Sequence, residues 1–228
     1  MKEQINTIIS GIALTAYYVP IAIVLFRKMW KDVPILVFSL YWAVGGMINL
    51  LPYIIPTRID EIVKVIFNNI IDVPFVMFIF YLNTTNKKMK HLTKLLIPVY
   101  IFIEIMNGLL RGFTDSSFKY LLGAGVIVTL ILVLAEIIRY FQDMDSPDRE
   151  KAKIFLYFAM LFEYASYGIV YVFTYFIDSP LTDRLVIYFA STLLGIAIAC
   201  FGFASPYFKK KQFVQGPREH EVLITIID

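Results

Sequence analysis

A chain of 228 residues that is 59% hydrophobic and only 17% charged, with a mean hydropathy of +0.71, is too apolar to be a soluble domain of its size. Its net charge of +3 supports no nucleic-acid reading; a bias that small acts on orientation in a bilayer and on contact with anionic headgroups. One cysteine, Cys200, and two histidines, His91 and His220, leave no internal disulfide, no histidine-ligated haem, no Cys/His zinc site and no Ser-His-Asp triad in the membrane, so neither cofactor nor metal is expected.

A bilayer core about 30 Å thick takes roughly 20 apolar residues per helix, and seven such windows lie between charged flanks: residues 5–26, 33–55, 62–82, 95–110, 120–138, 154–177 and 185–207. The expectation is an all-α polytopic membrane protein, a bundle of seven transmembrane helices over residues 1–207, followed by a basic cytoplasmic tail, 208–228. The connections are short, so no soluble domain fits between helices. The first window is too long and aromatic for a cleaved signal, and Lys2 is its only basic flank.

The second window places Ser39, Trp42, Gly46, Asn49 and Tyr53 three and four residues apart, on one helical face. Its Gly45 and Gly46, with Ser191 and Gly195 of the seventh window, read as close helix contacts. The third window contains IFNNIIDVPF at 66–75, where Lys64, Asn68 and Asp72 recur every four residues and Asn69 stands three before Asp72. Asp72 is ten residues from the window's start, about 15 Å along a helix and so mid-bilayer. A charge there costs about 2.5 to 3.5 kcal/mol, whereas each Leu, Ile, Phe or Val returns about 0.3 to 0.6. This helix is therefore expected inside the bundle. Pro74 frees the carbonyl of Ile70 beside the same site.

The fourth window, the shortest, carries Tyr100, Glu104, Asn107 and Arg111 on one face. In the fifth, Glu136 is close to the inner end and is expected to reach the headgroups. The sixth carries Glu163, then Ser166 or Tyr167, then Val170 or Tyr171, then Thr174, again along one face. Tyrosines and tryptophans at the window edges, such as Trp30, Tyr53 and Tyr120, read as an aromatic belt. The topology resembles that of opsins and other seven-helix receptors, but residues 185–207 contain no lysine for a Schiff base, which excludes a retinal pigment.

Counting Lys and Arg by side gives 15 in the loops after helices 1, 3 and 5 and in the tail, against 6 elsewhere. The excess marks the cytoplasmic side, so the N-terminus is expected outside and the C-terminus inside. The compact length, short loops and Lys/Ile/Asn-rich composition point to a cell membrane, that of a bacterial cytoplasm.

Asp72, Glu104 and Glu163 fall at one depth with no Lys or Arg level with them; Lys64 and Arg111 lie near the outer boundary. Helix packing needs no carboxylate, and an intramembrane acid marks a functional site. Such carboxyls are expected to keep protons or share them with Tyr and Asn partners. The expected ligand-binding set is Asp72, Glu104, Glu163, Asn68, Asn69, Asn107, Tyr167, Asn49, Trp42 and Tyr100. The leading function is a binding or signalling module for a lipid-like or amphiphilic molecule, with membrane lipid as its surroundings. Its partner would be a cytoplasmic protein at the inner connection RYFQDMDSPDREKAK (139–153) or the tail, whose β-prone end could add a strand. A lipid-modifying hydrolase using paired carboxyls is the alternative, and a proton- or cation-coupled transporter the third reading. Transport is weakened by the absence of an internal repeat and of Gly or Pro breaks in paired helices.

Overall fold

The computed structural model describes residues 2–54, 63–142, 148–177 and 181–208. They are almost entirely helical, joined by short turns, with no strand among the described residues. Seven helices are long and apolar enough to cross a membrane: α1 (Asn6–Phe26), α2 (Val33–Tyr53), α3 (Val63–Asn83), α4 (Lys87–Arg111), α5 (Ser116–Gln142), α6 (Lys151–Tyr175) and α7 (Asp183–Ala204). The chain thus has the make-up of a multi-pass membrane protein. Residues 55 and 62 of the expected windows, residues 143–147 of the inner connection, and the tail beyond Phe208 lie outside the described residues.

Helix ends differ from the windows where polarity and helix propensity diverge. α4 starts eight residues before its apolar window because KKMKHLTK, though too polar to count as membrane-buried, consists mostly of good helix formers. Asn86 caps it, its side chain accepting from the backbone N–H of Lys88 at 2.9 Å and of Met89 at 3.3 Å. α7 ends at Ala204, two residues ahead of Pro206, which starts a short 3₁₀ turn.

α6 lies along α7 and also packs on α5; α1 closes against α7, and α2 fits between the second half of α1 and α3. α4 rests on the outside of α3 and touches α5 more lightly. Burial follows this arrangement: half of the α3 span is enclosed, the largest share of the seven, and 17% of α4, the smallest. The helix that carries Asp72 is therefore interior, as its cost in lipid requires.

The centre is aromatic. Phe38 stacks on Trp42 at 5.8 Å between ring centroids, Phe203 meets both edge-on, and Phe80 stacks on Tyr157 at 5.5 Å. Lipid tails are as apolar as these rings, so the helices gain from dispersion and close fit rather than from leaving water.

Glu136 does not reach out to headgroups. It is 1% exposed, accepts from the Thr84 hydroxyl and pairs with Arg139 through Nε at 3.1 Å and Nη2 at 2.7 Å. Lys153 Nζ donates to the Asn83 carbonyl at 2.9 Å, and Asn83 Nδ2 to the Pro34 carbonyl at 3.3 Å. The ends of α3 and α5 and the starts of α2 and α6 are thereby held together by charged and amide groups.

Candidate functional site: a tyrosine-walled polar cavity

Two helices, α1 and α3, lose their regular ladder partway along their spans. α1 stops at Ala16 and resumes at Val19. Pro20 has no N–H for the Ala16 carbonyl and its ring crowds that oxygen, so Tyr17 and Tyr18 form a turn. Tyr17 then points inward, 1% exposed, against α2 at Gly46, where an added Cβ would stand 2.6 Å from the Tyr17 Cβ. In α3, Phe67–Ile71 forms a π-turn that ends directly at Asp72. Pro74 does to the Ile70 carbonyl what Pro20 does to that of Ala16, and Asn69 Nδ2 donates to the Val65 carbonyl at 2.8 Å. Irregular backbone at membrane depth is tolerated where it lines a cavity or is buried in protein, and π-turns recur at functional sites.

Both irregularities border a cavity of ≈ 280 Å³. α3 contributes Lys64, Asn68 and Asp72, α6 contributes Glu163, and α2 contributes Asn49. Five tyrosines complete much of the wall: Tyr17, Tyr41, Tyr164, Tyr167 and Tyr188, with Gly45, Ile48 and Phe67 between them. Asn49 is in the last turns of α2, Lys64 is at the start of α3 and Tyr188 is five residues into α7. The cavity therefore runs from the level of the two acids toward the end of the bundle where α2 finishes and α3 and α7 begin.

Each acid is anchored through one oxygen. The Tyr164 hydroxyl donates to Asp72 Oδ2 at 2.8 Å, and Trp42 Nε1 donates to Glu163 Oε2 at 3.0 Å. Asp72 Oδ1 and Glu163 Oε1 accept no hydrogen bond among the described residues, and the two carboxyls are within electrostatic reach of each other. Further along the cavity the polar groups satisfy one another. Tyr17 and Tyr188 hydroxyls lie 3.1 Å apart, and Asn49 Nδ2 reaches both at 3.4 Å while donating to the Gly45 carbonyl at 2.9 Å.

Of the residues expected at one site, the structure brings together Asp72, Glu163, Asn68, Asn49 and Tyr167. Trp42 stands behind the wall, fully buried, and orients Glu163. Asn69 faces away and is occupied by its own helix. Glu104, Tyr100 and Asn107 do not line the cavity, so the expectation of three carboxyls facing one pocket is corrected. The reason is the place of α4 outside α3, from which its polar face meets α5. Asn107 donates to the Ser117 carbonyl at 2.9 Å and Tyr100 to the Leu121 carbonyl at 3.3 Å. Glu104 is 0% exposed and stands within electrostatic reach of the Tyr100 hydroxyl, with no hydrogen bond to either oxygen at full geometry among the described residues. Lys64, expected near the outer boundary, is at the start of α3, eight residues before Asp72, and borders the same cavity there.

Sequence reasoning passed over Tyr17, Tyr41, Tyr164 and Tyr188. Pro20 was the available signal for Tyr17, and adjacency to Trp42 and Glu163 for Tyr41 and Tyr164; nothing in the local pattern separated Tyr188 from the aromatic belt. No group of three or more His, Cys, Asp or Glu that could hold a metal ion occurs among the described residues. No protein-family model, curated protein or solved structure matches the chain.

Proposed function

We propose that this protein is a membrane binding or signalling module that takes the polar part of a small amphiphilic molecule into the cavity between α1, α2, α3, α6 and α7. The observation that carries the reading is the pair of carboxyls, Asp72 and Glu163, each with an oxygen free of hydrogen bonds, facing one ≈ 280 Å³ space inside the spans. That volume is just below the ~300 to 1,000 Å³ of sites that engulf drug-sized ligands. It suits a headgroup or a small solute, with any acyl chain left in lipid. On the Lys/Arg count the N-terminus is outside, the cavity end of the bundle faces out, and a cytoplasmic protein partner would meet the opposite face, in a bacterial cytoplasmic membrane.

Native mass spectrometry of the purified protein tests this. The wild type is expected to retain a bound small molecule or lipid, and Asp72→Asn and Glu163→Gln to lose most of it while expressing normally; equal retention in all three would refute a role for the cavity. Cation transport is a second reading, favoured by the two interrupted helices at the cavity, a feature of transporter binding sites. Saturable uptake into liposomes would select it over binding alone, and turnover of added lysolipid would select a hydrolase using the two carboxyls.

A further inference from the structure

The composition of the cavity also speaks to the class of ligand. Two carboxyls and one lysine border it among the described residues, so the described ionisable side chains are acidic on balance. Glu163 is 9% exposed, and the oxygen it does not offer to Trp42 has no hydrogen-bond partner among the described residues. Around this acidic end the wall is tyrosine: the Tyr41 ring is inclined 27° to that of Tyr164 at 6.5 Å, and Tyr164 meets Tyr167 edge-on at 6.4 Å. Aromatic faces carry negative charge density and attract weakly hydrated organic cations, the more so away from water. Among the described residues no three His, Cys, Asp or Glu side chains group to hold a metal ion, and two carboxyls within a tyrosine wall suit an organic cation. At about 30 Å³ per molecule the space would hold roughly nine waters, which is room for a headgroup and not for a whole lipid.

We infer that the cavity binds a small organic ammonium group, received by Asp72 Oδ1 and Glu163 Oε1 and enclosed by tyrosine rings. This rests on the binding reading of the same site and adds the charge class. The ammonium can belong to a free amine or to an amine-bearing lipid headgroup, and the chemistry of recognition is the same.

The test uses full-length protein in nanodiscs of phosphatidylglycerol, which carries no amine. Choline and n-butylammonium are titrated beside their neutral counterparts, 3,3-dimethylbutan-1-ol and n-pentanol, with thermal stability and tyrosine fluorescence as readouts. In a parallel arm, lysophosphatidylethanolamine competes with lysophosphatidylglycerol. Saturable binding of a free ammonium and not of its neutral counterpart supports the proposal with a free amine as ligand. Preference for the ethanolamine lipid alone supports it with a headgroup as ligand. The Asp72→Asn/Glu163→Gln double variant is expected to weaken binding at least about 30-fold. Tyr167→Leu, which keeps both acids, is expected to weaken it about tenfold and serves if the double variant does not fold. Equal binding of neutral or glycerol-bearing probes, or unchanged affinity in both variants, overturns the ammonium inference and leaves the cavity as a site for other ligands. Binding of no probe of any charge overturns both.

Discussion

At the scale of single residues, two buried acids of similar sequence context do opposite things. Glu163 is oriented by the indole of Trp42 and opens onto a cavity; Glu104 is sealed between α4 and its neighbours with no hydrogen bond to either oxygen at full geometry among the described residues. A buried polar group without a partner costs about 1 to 3 kcal/mol, and an apolar residue of similar shape removes that cost. Glu104→Leu is therefore expected to raise the thermal stability of the protein by about that amount and to leave ligand retention unchanged, as read by a melting curve and native mass spectrometry on one preparation. A fall in retention would place Glu104 in the binding machinery. Asn68 and Asn69 show the same division one residue apart. Asn68 borders the cavity, while Asn69 is buried and donates its amide back to the Val65 carbonyl of its own helix.

At the scale of helices, the site depends on two interruptions and one close approach. Pro20 and Pro74 each remove a rung of the ladder, and the turns they produce aim Tyr17 and Asp72 inward. The break in α1 can enter the bundle because α2 presents Gly46 to it. Gly46→Ala would put a methyl 2.6 Å from the Tyr17 Cβ, and backbone-proximal crowding of that kind costs about 1 to 3 kcal/mol. The expected result is a lower melting temperature together with weaker ligand retention, because Tyr17 is displaced from Asn49 and Tyr188. Gly11→Ala, mid-helix at a position where nothing stands within 4 Å, is the control and is expected to leave ligand retention unchanged and, through alanine's better helix propensity, not to lower the melting temperature. At the other end of the bundle Glu136 and Arg139 of α5 bind Thr84 and Thr85 after α3, and Lys153 of α6 binds the Asn83 carbonyl, so three helices are joined there by polar contacts.

At the scale of the whole molecule, the proposed orientation follows from the basic residues and has a direct check. With Cys200 replaced by alanine, single cysteines at Thr114 and Lys88, both exposed, are expected to behave oppositely toward a membrane-impermeant maleimide applied to intact cells. Thr114→Cys should label and Lys88→Cys should not, and the reverse pattern would invert the bundle and place the cavity end inside. The same inversion would move the proposed contact surface for a protein partner to the other compartment.

The sequence by itself determined the number of spans and the interior place of α3, because bilayer thickness fixes helix length and a mid-span aspartate is too costly to leave in lipid. It also determined which faces are polar, since residues three and four apart share a side of a helix wherever that helix packs. Only the tertiary structure decided which of those faces meet. Equal depth along separate helices says nothing about their order around the bundle, and the position of α4 outside α3 is what turned Tyr100 and Asn107 toward α5 and left Asp72 and Glu163 on one cavity among tyrosines of α1, α2, α6 and α7.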